Sequence, residues 1–235
     1  MLKSNNSWLL AAAIVALALN GCSEKKSNLR IGKISADSSA LPPSSDSKKP
    51  STDTAQAEFS ISLEGYKATP LGQAVYSGDT SKVRALIEQG ASIEKCLTDE
   101  TYEFDILYTS LVFNKTEMAR YVLRNRLYTS VNETYTEESE NPLTLACSLA
   151  DSNEALEIAK ALVDLGASVN GTGESGGEQT KYPIIISVSR NTYGLTKMLL
   201  EHGASLEIKD KYGKAPLSIA QEKGFKSIAD LLKGN

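Results

Sequence analysis

The amino-acid sequence predicts an all-α repeat solenoid over residues 59–235, and three observations support this prediction. Apolar segments that begin with a proline recur at Pro70, Pro142, Pro183 and Pro216. Three of these four segments are followed, about one further helix downstream, by a Gly-Ala-Ser triplet. Hydrophobic residues make up 41% of the 235 residues, which is enough to build a core along the repeated part.

The recurring pattern is typical of pairs of helices. Proline begins a helix well because its missing N–H would have no partner there. A glycine after a helix permits the left-handed residue that ends it. One helix pair cannot bury its apolar face alone, so neighbouring pairs stack and form one continuous core.

Residues 1–21 have the features of a signal peptide. Lys3 gives the positive start, and the apolar run from Trp8 to Leu19 is shorter than the roughly 20 residues that a membrane-spanning helix needs. The following Leu19-Asn20-Gly21-Cys22 resembles the lipobox of bacterial lipoproteins, in which the cysteine is acylated and becomes the first residue of the mature chain. The resemblance implies lipidation at Cys22; an ordinary cleaved signal with an incidental cysteine is the alternative.

Residues 22–58 are expected to form a disordered tether that starts at the lipidated cysteine. This stretch is rich in Ser, Lys, Asp and Pro and has no hydrophobic period. Ser23 follows the cysteine where an Asp would be the usual inner-membrane retention residue, so the lipoprotein resemblance implies a bacterial outer membrane, with the chain facing the periplasm. Several acyl chains on one residue anchor stably, because each buried CH₂ contributes roughly 0.8 kcal/mol.

The proline-led segments look like ankyrin repeats, whose first helix begins with a Thr-Pro-Leu-His-x-Ala motif and whose second helix ends in Gly-Ala. Thr69-Pro70-Leu71-Gly72-Gln73-Ala74 resembles the first motif, and the interval from Pro183 to Pro216 equals the period of that family. The interval from Pro70 to Pro142 is slightly more than twice as long, which leaves room for a degenerate copy without the proline and the Gly-Ala. About five repeats are expected, near residues 67–97, 102–133, 139–172, 180–209 and 210–235.

The loops that connect the predicted repeats hold the candidate binding residues, because insertions in solenoids map to loops that often form the binding face. Tyrosines and acidic residues occur together there; aromatic residues are enriched at binding hot spots, and carboxylates steer a basic partner. The alternative is that these are solvated loops with the tyrosines folded down as lids. The predicted partner-binding residues are Tyr102, Phe104, Tyr128, Tyr135, Glu137, Glu138 and Tyr182.

Composition and charge argue against catalysis, cofactors and nucleic acid. A net charge of −4 and a pI near 5.3 leave no excess of cations for a polyanion. One histidine and three cysteines are too few for zinc, haem or triad chemistry, so we expect no catalytic residue, no metal, no cofactor and no small-molecule substrate. His202 is expected to cap the end of a helix. Cys147 is expected to be a buried thiol and Cys96 a partly exposed one, without a disulfide between them.

The sequence thus predicts a non-enzymatic, protein-binding lipoprotein. It resembles immunity lipoproteins that neutralise antibacterial effectors, such as phospholipases delivered by type VI secretion. This resemblance implies a protein partner, a toxin with a basic surface, and contact with the membrane through acyl chains on Cys22. The alternative is an envelope scaffold or stress-protection factor that docks a housekeeping protein. A fold by itself does not decide between the two.

Overall fold

Three stretches of the chain are described in the computed structural model: residues 59–135, 140–171 and 181–234. The predicted signal peptide and tether lie outside these stretches, and so do the lipidation residue Cys22 and the loop residues Glu137 and Glu138. Across the described residues, none of the helices combines the length and the apolar character that crossing a membrane requires.

Five helix pairs make up most of the described part, and each pair has a shorter inner helix and a longer outer one. The inner helices are α1 (Pro70–Ser77), α3 (Ile106–Val112), α5 (Pro142–Cys147), α7 (Pro183–Ser189) and α9 (Pro216–Glu222). The outer helices are α2 (Thr80–Glu88), α4 (Thr116–Arg124), α6 (Ser152–Asp164), α8 (Tyr193–Glu201) and α10 (Lys226–Lys233). Each inner helix packs against the next inner helix, and the outer helices from α4 onwards do the same. The predicted all-α solenoid is therefore confirmed.

The internal geometry of every helix pair is the same. Each outer helix begins ten residues after the start of its inner helix, from Pro70 and Thr80 in the first pair to Pro216 and Lys226 in the last. The interval from the start of an outer helix to the start of the next inner helix differs between repeats. All variation in the length of the repeats therefore lies in this interval. This interval is longest after the start of α6, which has 13 residues where α4 has nine. Insertions therefore leave the internal spacing of the helix pairs unchanged.

A small buried residue lies at the same place in all five inner helices. It is the fifth residue of each helix and is completely buried: Ala74, Ser110, Ala146, Ser187 and Ala220. A short side chain here lets the neighbouring inner helices approach closely. The second repeat keeps this feature through Ser110, although it lacks the proline that begins the other four inner helices.

The residue before the first three inner helices caps the helix that follows. The side-chain oxygens of Thr69, Asp105 and Asn141 each accept a hydrogen bond from a backbone N–H of the first turn. Before α7 and α9 the same place holds Tyr182 and Ala215, which make no such bond. Of the three capping side chains, that of Asp105 is the one that can carry a charge.

The second repeat ends its outer helix with an arginine where other repeats use glycine. Gly90, Gly166 and Gly203 follow α2, α6 and α8 with φ angles of 95°, 94° and 85°. Arg126 takes the same left-handed conformation after α4, with φ of 53°. A residue with a Cβ atom pays roughly 1–2 kcal/mol for this conformation. The second repeat therefore makes the same left-handed turn after its outer helix, although its sequence lacks the Gly-Ala pair.

Four short strands form an antiparallel sheet in the first part of the solenoid. They are β1 (Ile61–Leu63), β2 (Tyr66–Ala68), β3 (Leu97–Thr98) and β4 (Glu103–Phe104), paired in that order. In the β2–β3 pair, Ala68 lies opposite Leu97, which joins the hairpin before α1 to the connection after α2. The sequence does not predict these strands, because two or three residues are too few to show an alternating pattern.

Cys96, predicted to be partly exposed, is completely buried, and Cys147 is buried as predicted; both thiols are free. The N–H of Cys96 donates to the carbonyl of Phe104 at 2.8 Å, and its own carbonyl accepts from the N–H of Thr69 at 3.0 Å. These bonds hold the residue against α1 instead of in an open loop. A Cβ atom added to Gly72 would lie 2.0 Å from the Cys96 carbonyl oxygen. Burial raises the pKa of both thiols, which makes them unreactive.

Candidate protein-binding surface

Each outer helix is joined to the next inner helix by a connection that we call a finger. Counting only the described residues, the fingers are finger 1 (residues 89–105), finger 2 (125–135 and 140–141), finger 3 (165–171 and 181–182) and finger 4 (202–215). Because the helix pairs stack with the same internal spacing, the fingers leave the stack on the same side. Together with the β1–β2 hairpin they form one edge of the solenoid, which we call the finger row.

Contacts between neighbouring fingers make this row continuous. Strand β2 of the hairpin pairs with β3 in finger 1. The ring of Phe104 in finger 1 lies 6.4 Å from the ring of Tyr135 in finger 2, measured between centroids. Glu140 in finger 2 forms an ion pair with Lys181 in finger 3. Asn170 in finger 3 donates a hydrogen bond of 3.2 Å to a backbone carbonyl of finger 4.

A cluster of aromatic rings fills the space between fingers 1 and 2 and helix α3. Phe104 stacks on Tyr108 with 4.1 Å between ring centroids, and Tyr108 meets Tyr135 edge-on at 4.7 Å. Tyr66 contacts Phe104 edge-on at 6.0 Å, and its hydroxyl lies 3.4 Å from that of Tyr108. Each such pair contributes about 0.5–1.5 kcal/mol beyond its buried area. The cluster therefore fixes finger 2 against the helix stack.

Asp105 lies within this cluster and has a buried carboxylate. Its Oδ1 accepts one hydrogen bond from the N–H of Tyr108 at 2.7 Å and another from the phenol of Tyr135 at 3.1 Å. Burial raises the pKa of Asp105 to about 6; the hydrogen bonds from Tyr108 and Tyr135 oppose this rise, and the charge of Glu133 adds to it. A negative charge at this place is thus held at a cost in stability.

Two of the predicted partner-binding residues belong to the core, which corrects their expected exposure. Phe104 is 1% exposed and Tyr135 is 4% exposed, because both rings turn back onto α3. For Tyr135 this is the arrangement of a lid, the alternative that the sequence left open. Tyr102, Tyr128 and Tyr182 are half-buried and lie in fingers 1, 2 and 3. These three tyrosines remain candidates for contact with a partner.

The tip of finger 1 is an ordered acidic turn. Oδ1 of Asp99 accepts hydrogen bonds from two backbone N–H groups, one of them that of Tyr102 at 2.8 Å. Glu100 at the tip pairs with Lys67 of β2 at 2.8 Å, and Glu103 pairs with a lysine of the same finger at 2.9 Å. Exposed ion pairs of this kind contribute little to stability. Their acidic members together with Asp99 outnumber the basic ones, so this end of the row is negative.

The tip of finger 4 carries a residue that the sequence analysis did not single out. Tyr212 is 73% exposed, the highest value for a large hydrophobic side chain among the described residues. Oδ1 of Asp210 accepts from the N–H groups of Tyr212 at 2.9 Å and Lys214 at 2.8 Å, which closes a tight turn. The available signal was the position of Tyr212 between Asp210 and Gly213, because Asp and Gly favour tight turns and turns lie on the surface.

Two asparagines, also missed from the sequence, join neighbouring fingers by the same pair of bonds. Asn132 donates to the carbonyl of Gly166 at 3.0 Å and accepts from the N–H of Ser168 at 2.7 Å. Asn170 makes the equivalent two bonds one finger further on, at 3.2 and 2.8 Å. Each asparagine satisfies a donor and an acceptor of the next finger, so the row is held in register by hydrogen bonds as well as by rings.

The described residues form no metal-binding site. In these parts of the chain, no three side chains of His, Cys, Asp or Glu come together to hold a metal ion. His202 lies at the end of α8, as expected, and its Nδ1 is 2.9 Å from the carbonyl oxygen of Met198. Its place is that of a helix cap.

No protein-family model matches the chain, but parts of it are similar to known proteins. A protein of Escherichia coli K12 named as an ankyrin repeat protein, YahD, is 46% identical over 55 residues, which cover 21% of this chain and 27% of that protein. A Saccharomyces cerevisiae protein named as a regulatory subunit of the 26S proteasome, p28, is 26% identical over 168 residues, or 70% of this chain and 69% of that protein. The fold is an ankyrin-repeat solenoid.

A third relative matches a shorter part of the ankyrin repeats. An Arabidopsis thaliana protein named as an E3 ubiquitin-protein ligase, XBAT34, is 29% identical over 96 residues, which cover 40% of this chain and 24% of that protein. The chain thus spans about a quarter of the length of the bacterial and the plant relative. Ankyrin repeats are typically non-catalytic modules that bind proteins, and the similarity suggests a protein-binding role. The finger row of the ankyrin solenoid is the candidate surface.

Proposed function

We propose that this ankyrin-repeat chain is a non-enzymatic immunity lipoprotein. It is anchored through Cys22 on the periplasmic side of the bacterial outer membrane and binds and neutralises a cognate toxic effector, such as a phospholipase delivered by type VI secretion. The observation that carries the proposal is the continuous, internally braced finger row. The lipobox-like Leu19-Asn20-Gly21-Cys22 adds the address at which such a surface would act.

The bracing of the row supports tight binding. A surface whose side chains and loops are already ordered has little conformational entropy left to lose on association. Finger 1 is held by its turn at Asp99, finger 2 by the ring of Tyr135, and fingers 3 and 4 by the bonds of Asn170. An inhibitor that must remain on its target gains from such a pre-formed surface, because affinity is then not spent on ordering loops.

The charge of the row supports a partner with a basic patch. Asp99, Glu100, Glu103 and Glu133 are exposed in fingers 1 and 2. Carboxylates in this arrangement attract a positive surface from a distance and raise the rate of encounter. A toxin that must be captured as it enters the envelope is best met by a fast-binding surface.

The names of the relatives support the binding part of the proposal. The yeast relative is named as a regulatory subunit of the proteasome, and such a subunit acts in a protein assembly. The same fold in this chain would act by binding as well. The lipid anchor would then restrict the search for the partner to the membrane surface.

Capture of the partner tests the proposal. Tagged mature protein with Cys22→Ser serves as bait for secreted and envelope fractions of its own species, followed by a long wash. The proposal expects one stoichiometric, slowly dissociating partner that is toxic when produced alone and loses its activity in the complex. Several weakly held partners, or an envelope enzyme that stays fully active when bound, would instead indicate a scaffold.

The anchor needs its own test in cells. A strain that produces the Cys22→Ser chain should be less well protected against the captured effector than a strain with the wild-type chain. Both strains must contain equal amounts of folded protein, which the thermal unfolding of the purified chains and immunoblots establish. Full protection by the Cys22→Ser chain would remove the membrane anchor from the proposal.

A further inference from the structure

We infer that Tyr212, at the tip of finger 4, inserts into an apolar pocket of the protein partner and that carboxylates line the rim of this pocket. The inference rests on the proposed binding role of the finger row and specifies one contact within it. Three observations carry it: the exposure of the ring, the order of the turn that presents it, and the charges beside it.

The ring of Tyr212 is not packed against the core of the solenoid. Most aromatic side chains of the finger row pack into the core or lie half-buried against it. Two large hydrophobic side chains in the described residues are exposed, Tyr212 at 73% and Tyr193 at 47%. Tyr193 begins the outer helix α8, whereas Tyr212 lies on the finger row. Tyrosine is enriched at binding hot spots, because its ring buries a large area on association.

The turn that presents Tyr212 is ordered before any partner arrives. The carboxylate of Asp210 accepts two backbone N–H bonds across the tip, at 2.9 and 2.8 Å. The N–H of Gly213 donates to the carbonyl of Asp210 at 2.9 Å, and Gly213 adopts the φ of 75° that this turn requires. The side chain of tyrosine has two rotatable bonds, so little further freedom is lost when the ring enters a pocket.

One cation, the ammonium group of Lys211, lies beside the ring. Nζ of Lys211 is 5.3 Å from the centre of the Tyr212 ring. Lys209 and Lys211 are exposed and form no ion pair within the described residues, while Lys214 is paired with Glu222 at 2.6 Å. A partner that buries the ring must also meet the ammonium group of Lys211. Carboxylates at the rim of the pocket would pair with it, and a basic rim would repel it.

The tips of finger 1 and finger 4 therefore favour different chemical groups on the partner. Finger 1 presents Asp99, Glu100 and Glu103, and the tip of finger 4 presents Tyr212 with Lys211, above the turn that Asp210 closes. The partner that fits both has a basic patch opposite finger 1 and an acid-rimmed apolar pocket opposite finger 4. A toxin surface that is basic throughout does not meet this requirement. The order of charges along the row would also fix the direction in which the partner binds.

The contact is tested with two tyrosine variants of the mature Cys22→Ser chain. Tyr212→Ala and the matched control Tyr193→Ala are compared with the parent chain as baits, and the dissociation constant of the captured partner is measured. Tyr212→Ala should weaken binding by about tenfold or more, and Tyr193→Ala by less than about twofold. Both side chains are exposed, so both variants should unfold at the temperature of the parent chain.

The rim of the pocket is tested by charge. The double variant Lys209→Glu and Lys211→Glu should weaken binding, and the loss should be larger at low salt than at high salt. Replacement of Tyr212 by the photo-crosslinker p-benzoylphenylalanine should link the chain to a segment of the partner that contains Asp or Glu. Tighter binding of the double variant, or a crosslink to a lysine- or arginine-rich segment, would overturn the proposed rim.

The inference and the proposed function fail in different ways. If the parent chain captures a stoichiometric partner and Tyr212→Ala binds it equally well, the inference is overturned and the immunity function stands. If the parent chain captures no partner at all, the proposed function is overturned and the inference with it.

Discussion

The phenol of Tyr135 in finger 2 donates a hydrogen bond of 3.1 Å to the carboxylate of Asp105, a residue thirty positions earlier and one repeat back. The ring of Tyr135 also lies 4.7 Å from that of Tyr108 in α3. A tyrosine that the sequence predicts to meet a partner thus fastens its own finger to the helix stack. The same contact places a buried charge under the ring, and its consequences can be measured.

The buried charge of Asp105 should make stability depend on pH. Its pKa is about 6 in the folded protein against an ordinary value of 3.8, because burial disfavours the charged form. The folded state therefore binds this proton more tightly than the unfolded state, and the free energy of unfolding falls as the pH rises from about 4 to about 6. Asp105→Asn should be more stable than wild type by about 1–3 kcal/mol at pH 7, a difference that shrinks towards pH 4. Urea unfolding across this pH range measures it.

The equivalent capping residue of the next repeat provides the matched control. Asn141 is 1% exposed and caps α5 in the same way. Asn141→Asp should lose stability at pH 7 and regain it as the pH approaches 4. A difference between Asp105→Asn and wild type that stays constant from pH 4 to pH 8 would rule out the buried carboxylate as the cause.

Tyr135 should behave as a core residue. Tyr135→Ala removes a ring that is 4% exposed and should lower the free energy of unfolding by about 3–5 kcal/mol. Tyr135→Phe loses only the hydrogen bond to Asp105 and should cost about 1 kcal/mol. Tyr212→Ala, at the exposed tip of finger 4, should change stability by less than about 0.5 kcal/mol. Chemical unfolding of the three variants would contradict this placement if Tyr135→Ala matched Tyr212→Ala.

Gly72 should not tolerate a side chain. A Cβ atom there would lie 2.0 Å from the carbonyl oxygen of Cys96, so Gly72→Ala must push α1 away from finger 1 and should cost more than about 3 kcal/mol. Gly194 in α8 is the control, because an added Cβ atom would meet only Leu156 at 3.4 Å. Gly194→Ala should stabilise by up to about 1 kcal/mol through its helix propensity. Thermal unfolding with equal losses for both variants would refute the close contact.

Replacing Arg126 with glycine should raise the stability of the folded chain. Arg126→Gly removes the cost of a left-handed conformation at φ of 53° and should raise the free energy of unfolding by about 0.5–1 kcal/mol. Arg124→Gly, two residues earlier and at the last position of α4, should instead lower it by up to about 1 kcal/mol. Both arginines are exposed, so the opposite signs would come from the backbone. A loss of stability in both variants would show that Arg126 is held by its side chain.

Helix positions could be predicted from the sequence because their signals are local. Pro70, Pro142, Pro183 and Pro216 each begin an inner helix, as the pattern indicates. The second repeat lacks that proline but keeps the ten-residue spacing between the starts of its helices and the small buried Ser110. A helix pair therefore lies between two clear repeats, although its sequence lacks the usual proline.

Which finger residues are buried and which are exposed could not be predicted, because burial there depends on contacts between distant parts of the chain. Glu103 and Phe104 are neighbours in β4, yet one is exposed and the other buried, and a shift of one residue would exchange them. Tyr135 is buried through its contacts with Asp105 and Tyr108, which lie in the preceding repeat. Composition places aromatic and acidic residues in the fingers but does not say which of them point inwards.

The dissociation constant of the captured complex tests the central claim most directly. An immunity protein must hold its toxin at nanomolar strength or tighter, which corresponds to about −12 kcal/mol of binding free energy. We expect the mature chain to bind its effector one to one at this strength and to abolish its toxic activity. A dissociation constant near micromolar, with the bound protein still active, would contradict the immunity function.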